Sequence, residues 1–342
     1  MRFWVLFPVA LLAGLLIPLS YGGWEGLSRL CELPFSLMAG ALAMVVLGWN
    51  FNAGRLRLVL GGIGVRMGQG KALATVMSSE FAMSATPAGT GGALTYVFLL
   101  HRHGVPSSRA AACYALEQLV DQLFFLPALV LLSFVLLAGG DEFHVGTQLA
   151  LLGGMIASGL GLLWLLARHY RRLMLTGGRL LNRFGIKARR RRNIARWIIR
   201  FRQGLGLMLH FSRWRLLGIY LLCIGHWMLR YTILYFIIRA LGEDVSWAYL
   251  FLVQMFVLSV GQLTLLPGGS GGVEIGFSAL LAPWLEPATL AAALLAWRFA
   301  TYYWYLIAGG LVFFYFAGTG LWRHLRLRRR FPGKKKVQGV GG

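Results

Sequence analysis

Six apolar stretches, 3–20, 33–51, 110–138, 148–167, 216–240 and 289–317, dominate the chain. Each is close to or beyond the roughly 20 residues a helix needs to cross a hydrocarbon layer. Inside a bilayer every backbone polar group must be paired within a helix or a closed barrel, so runs of this length mean helices. With 58% hydrophobic and only 13% charged residues, against about 25% charged in soluble domains, the chain is an all-α integral membrane protein. The first stretch follows only Arg2 and closes at Leu19-Ser20-Tyr21-Gly22 without an A-x-A site. It is therefore expected to stay as an anchor and not to be removed as a signal peptide.

A net charge of +23 would suggest nucleic acid in a soluble protein. Here the charges lie between the spans, so membrane orientation explains them and no nucleic-acid partner is expected. Segments 52–71, 101–109, 168–215 and 323–336 hold 29 of the 34 Lys and Arg and no Asp or Glu. The opposite connections carry Glu25, Glu32, Asp141, Glu142, Glu243, Asp244 and Glu286, with Arg29 their one clear basic residue. Basic loops stay on the cytoplasmic side, which puts both termini there and agrees with an even number of full spans in a cell membrane, the bacterial cytoplasmic membrane by expectation. Cys31, Cys113 and Cys223 make neither a disulfide framework nor a metal-binding spacing, so no metal or cofactor is expected.

Two segments are too polar at their centres for plain spans. Residues 72–100 contain Ser78-Ser79-Glu80 and then Thr86-Pro87-Ala88-Gly89-Thr90-Gly91-Gly92, and residues 248–283 contain Leu266-Pro267-Gly268-Gly269-Ser270-Gly271-Gly272-Val273-Glu274. Proline removes a backbone donor and glycine frees the backbone, so a helix should break at Pro87 and at Pro267. Broken backbone survives at membrane depth only where protein or a wet cavity surrounds it. The charge map puts both ends of 72–100 inside and both ends of 248–283 outside, which predicts two re-entrant hairpins entering from opposite leaflets.

The two interruptions align at an offset of 180 residues, and each is followed by a short apolar leg, a turn (Val105-Pro106-Ser107; Leu285-Glu286-Pro287) and an Ala-rich helix. That is an inverted repeat, with halves at about 33–138 and 216–317, of the kind in which broken helices meet near the midplane to form a transport site. The expected layout is a single membrane domain over 1–322 with six full spans, two hairpins and a basic loop at 168–215, followed by a basic tail at 323–342.

The pair "TPAGTGG … VFLLHRHGVPSSRAAACYALEQLVDQ" and "LPGGSGGVEIGFSALL … LAAALLAWRFATYYWYLIAGG" resembles the lysylphosphatidylglycerol-synthase transmembrane-region family. This is the flippase-like domain also found at the N-terminus of multiple peptide resistance factors. The resemblance covers nearly the whole chain and is most specific around Glu274 and Arg298. It implies movement of a phospholipid or polyprenyl-linked lipid between leaflets. No soluble aminoacyl-transfer domain follows the membrane part in this sequence, so synthesis of an aminoacylated lipid is not expected.

Ionisable groups within a membrane are costly and mark function by default. Glu80 lies in the first leg of the first hairpin, Glu117 and Asp121 share a helix face four residues apart, and Glu274 opens the second leg of the second hairpin. On the basic side stand Arg230, with His226 four residues before it, and Arg298, with Tyr302 on the same face. In a structural reading, Glu117 and Asp121 clamp Arg298 or Arg230 and fix helix register. In a functional reading, the arginines hold a lipid phosphate. The half-helix N-termini at Thr90-Gly91-Gly92 and Ser270-Gly271-Gly272 then offer free N–H groups and a positive dipole end to the same anion. The acids serve as counter-charges, proton carriers or partners of a cationic headgroup. Neither glycine loop has the Gly-Lys-Ser/Thr ending of a nucleotide loop or a serine-hydrolase elbow, so movement is expected to be downhill or ion-coupled.

Lys187 through Arg202 reads as a basic amphipathic helix with Trp197, Ile198, Phe201, Leu205 and Leu209 on its apolar side, suited to lying on an anionic membrane surface. The cluster Trp297, Tyr302, Tyr303, Trp304 and Tyr305 is a candidate lining for an acyl or isoprenoid chain. Three functions stay open: a lipid translocase; a non-catalytic membrane partner of a lipid synthase or glycosyltransferase; and an intramembrane enzyme acting on a lipid phosphate, for which no nucleophile–base pair is evident.

Overall fold

The computed structural model describes residues 3–138 and 187–316, with isolated positions between 153 and 183. Those isolated positions apart, the expected span at 148–167, the first part of the basic loop (168–186) and the tail at 323–342 lie outside the described residues. In chain order the helices are α1 (Phe3–Glu32), α2 (Phe35–Gly62), α3 (Gln69–Ala85), α4 (Thr90–Arg102), α5 (Ser107–Ala138), α6 (Ala188–Leu209), α7 (Arg213–Ala240), α8 (Trp247–Gly261), α9 (Gly272–Leu281) and α10 (Pro287–Phe316). Among the described residues there is no strand. Five of these helices are long and apolar enough to cross a membrane, α1, α2, α5, α7 and α10, and they fall on five of the six expected stretches.

The boundaries differ where polar residues misled the expectation. α1 continues to Glu32, bending at Gly23, whose φ of 53° no helical residue shares. α2 runs well past position 51 to Gly62, because Asn52 and Arg55 face the protein interior, where partners wait for them. α10 carries one π turn, Phe299–Tyr303, directly after Arg298. Such turns re-aim side chains and recur at functional sites.

Both interrupted segments form helix–turn–helix hairpins. α3 meets α4 through a 3-10 turn at Pro87–Gly89, and α8 meets α9 through turns at Gln262–Thr264 and Pro267–Gly269. The breaks share one backbone shape. After the proline, Ala88 and Gly89 have φ of 50° and 67°, and Gly268 and Gly269 have 63° and 66°. Proline supplies the start of the turn and glycine the left-handed positions. Ala88 takes that conformation without glycine's freedom.

The bundle closes through small residues. α1 packs along α10 with Gly22 and Gly26 one turn apart on the contact, where an added Cβ would lie 2.4 and 2.9 Å from the Ala291 Cβ. This is the small-xxx-small packing of membrane helices. Gly22→Leu should therefore lower the melting temperature of the purified protein by several degrees, an overpacking cost of about 1–3 kcal/mol. Gly40→Ala, whose Cβ meets nothing within 4 Å, is the matched control and should leave it unchanged. α2 packs on α7, and α5 on α6. Phe201 and Leu205 of α6 join the core and Met208 is fully buried, while Trp197 and Leu209 on the same side remain exposed. The expected amphipathic helix exists, docked on α5 by half its apolar side.

Candidate functional site

The tips of the two hairpins touch each other. Between them lies a cavity of about 80 Å³, walled by Met83, Ala88 and Gly89 of the first hairpin, Gln262, Gly268 and Gly269 of the second, Arg230 of α7, and Trp297, Arg298 and Tyr302 of α10. A water needs at least about 10–15 Å³ by this measure, so the space suits a few waters or a small anion and is closed to a whole lipid.

Arg298 is held from three sides at this point. Its Nε lies 2.6 Å from Glu274 Oε1, with the side chains 3% and 0% exposed, and its Nη1 donates to the Gly268 carbonyl at 3.1 Å. The guanidinium also sits over the Tyr302 ring, 5.2 Å from its centroid. Its Nη2 is buried with no acceptor among the described residues. Glu274 uses Oε2 to accept the Gly271 N–H at 2.6 Å, which caps α9. One ion pair thus ties α10 to both sides of the second break.

Arg230 reaches the cavity from α7. Its Nη1 donates to the Tyr305 hydroxyl at 3.2 Å and lies 3.9 Å from Glu80 Oε2. Behind it, Glu80 accepts from Trp49 Nε1 at 3.1 Å and Asn52 Nδ2 at 3.2 Å. His226, one turn before Arg230, turns Nδ1 to the Gly48 carbonyl at 3.2 Å and sits in helix packing outside the cavity wall.

Glu117 and Asp121 form a second polar cluster away from the cavity. Neither pairs with Arg298 or Arg230. Their partner is Arg55, 2.5 Å from Asp121 and 3.9 Å from Glu117 and itself 5% exposed. Asp121 Oδ1 also accepts from Trp227 Nε1 at 3.0 Å and from the Cys223 thiol at 3.2 Å, and Glu117 accepts from the Tyr96 hydroxyl at 3.0 Å. Sequence reading assigned Arg55 to a cytoplasmic loop. The missed signal was periodicity: Val45, Gly48, Asn52, Arg55 and Val59 follow one buried stripe of α2.

The glycine loops contribute differently from expectation. Gly91 N–H is already bonded to Thr86 Oγ1 at 2.8 Å and Gly271 N–H to Glu274, so neither presents a free donor. Thr90 is exposed, with its hydroxyl on the Pro87 carbonyl at 3.1 Å, Gly92 packs against Met83, and Ser270 and Gly272 lie behind the break. The cavity wall is made one step earlier, by Ala88-Gly89 and Gly268-Gly269. The aromatic cluster is largely core. Trp297 donates to Gln254 Oε1 at 3.2 Å and Tyr305 packs edge-on to Trp49 at 5.0 Å, so of the five only Trp297 and Tyr302 face the cavity. Among the described residues no three of His, Cys, Asp and Glu gather as metal ligands.

The family described as the lysylphosphatidylglycerol synthase TM region matches residues 5–309. A UPF0104 membrane protein of Archaeoglobus fulgidus is 27% identical over 285 residues, covering 80% of this chain and 85% of that protein. A protein of Haloferax volcanii named glycosyltransferase AglD is 25% identical over 307 residues, covering 80% of this chain but 47% of its own length.

Proposed function

We propose, since the chain belongs to the lysylphosphatidylglycerol synthase transmembrane-region family, that it moves a phosphate-bearing lipid between leaflets through a polar groove between its two hairpins. The observation that carries this reading is the meeting of the two hairpin tips around a cavity walled by Arg230 and Arg298. Guanidinium is the side chain best suited to a phosphate because its planar fork gives two parallel donors, and Arg298 Nη2 has no other acceptor among the described residues. In this reading the hairpins are re-entrant from opposite leaflets, the two halves form an inverted repeat, and both termini face the cytoplasm. The contacts here are those of a closed state. A headgroup passes when the tips part, first toward one leaflet and then toward the other, while the acyl or isoprenoid chains stay in the bilayer. α6 lies along the cytoplasmic surface, with its arginines on anionic headgroups. The lipid is an anionic phospholipid or a polyprenyl phosphate.

A second reading is favoured by one observation. The Haloferax relative is named a glycosyltransferase and is about twice as long as its matched part, so this chain would be the membrane partner of such an enzyme or of a lipid synthase. Proteoliposomes separate the two. Fluorescent phosphatidylglycerol, an aminoacylated phospholipid and a polyprenyl phosphate are each reconstituted with the protein and challenged with a membrane-impermeant quencher. One class should become quenchable from both leaflets, faster than in empty liposomes. If none does, the translocase reading falls and co-purification of an enzyme becomes the next measurement.

A further inference from the structure

In their interior the described spans and hairpins hold four carboxylates, Glu80, Glu117, Asp121 and Glu274, and three arginines, Arg55, Arg230 and Arg298. Arg57 is exposed on α2 and bonds outward to the Met67 carbonyl and Gln69. The interior arginines pair off: Arg298 with Glu274, Arg230 with Glu80, and Arg55 with Asp121. Glu117 is left over. Its nearest guanidinium nitrogen is Arg55 Nη2 at 3.9 Å, on a group whose charge Asp121 already balances with the help of two further donors.

A surplus carboxylate 7% exposed in a membrane interior is costly when ionised, and one bound proton removes the cost. The charged and titratable groups facing it are Arg55 from α2, Tyr96 from α4, and Cys113, Tyr114 and Asp121 from its own helix, while α7 sends Cys223 to Asp121. None adds a second positive charge. His226 is no substitute, because its Nδ1 is committed to the Gly48 carbonyl and its charged neighbours include the guanidiniums of Arg230 and Arg55.

Polar side chains of α2 lie between this group and the cavity wall. Asn52 Oδ1 and Arg55 Nε, one turn apart on α2, are both buried without partners among the described residues. Asn52 donates its amide N–H to Glu80, and Glu80 stands beside Arg230 of the cavity wall.

We infer that Glu117 is a proton-binding site and that its proton, taken from water on one side and released to water on the other, couples lipid movement to the proton gradient. The coupling half rests on the translocase reading. Infrared difference spectra of the full chain in lipid test the first half. The wild type should show the carbonyl stretch of a protonated, buried carboxylic acid at neutral pH. The band should vanish in Glu117→Gln, vanish in Asp121→Asn, where Arg55 has only Glu117 to balance, and persist in Glu274→Gln, whose ion pair lies elsewhere. A wild type without the band, or a band surviving in Glu117→Gln or Asp121→Asn, overturns the site. The second half is read in the proteoliposomes with the voltage held at zero. One proton per lipid should bias the leaflet distribution about tenfold per pH unit of gradient. A wild type that moves lipid but ignores the gradient overturns the coupling. A wild type that moves no lipid, with the infrared assignment intact, counts against the translocase reading instead.

Discussion

Arg298→Met should abolish lipid movement and lower stability by about 3–5 kcal/mol, since it strands a fully buried carboxylate. Two effects are mixed in that result, and a second substitution separates them. Glu274→Gln removes the stranded charge while its amide oxygen still accepts the Gly271 N–H, so Arg298→Met/Glu274→Gln should regain most of the stability, read as melting temperature in detergent. Lipid movement should stay lost, because the phosphate donor facing the cavity is still missing. Arg298→Lys makes a finer distinction. An ammonium keeps the charge beside Glu274 but lacks the planar fork that also reaches the Gly268 carbonyl. It should melt near the wild type and move lipid at least about tenfold more slowly, a loss of about 1.4 kcal/mol in the transport barrier. If the double variant moves lipid at the wild-type rate, the pair is only a clamp between α10 and the second break, and the site assignment falls.

How much of this was legible in the sequence depends on how far each signal reaches along the chain. Apolar length is a local signal, and it located five of the described spans. Proline with glycine close behind it is also local, and it marked both breaks, the first within two residues of the end of α3 and the second six residues after α8 has ended at Gly261. The partners of buried charges are set by how helices pack, which no local pattern records. Glu117 and Asp121 were recognised as one helix face, yet their counter-charge sits on α2, with the whole first hairpin between them in the chain. Arg55 looked like a loop residue because Asn50, Asn52, Arg55 and Arg57 lower the local hydropathy below that of a span. Only two of these four are buried, Asn52 and Arg55. Asn50 and Arg57 instead join Gln69, from opposite ends of its side chain. Hydropathy averages such residues together, whereas a helical stripe separates them. The capped state of Gly91 and Gly271 was hidden for a related reason: whether the Thr86 and Glu274 oxygens turn back onto those N–H groups is a matter of side-chain conformation that no residue pattern records.

The corrected place of Arg55 makes the second large prediction. Arg55→Met should leave little folded protein, because it takes the counter-charge from Asp121 beside a Glu117 that already holds its proton, and one stranded buried charge costs about 3–5 kcal/mol against a total stability of roughly 5–15 kcal/mol. Adding Glu117→Gln and Asp121→Asn should restore the monodisperse peak in size-exclusion chromatography, since amides keep the bonds from Tyr96, Trp227 and Cys223 while removing the charge. Arg57→Met, two residues further along the same helix and on its exposed face, gives up only exposed hydrogen bonds and should change stability by less than about 1 kcal/mol. Equal tolerance of the two substitutions would mean that α2 ends near position 51 and that Arg55 faces water with the other loop arginines. In that case Glu117 and Asp121 would lose their counter-charge, and the surplus that assigns a proton to Glu117 would no longer be a single charge.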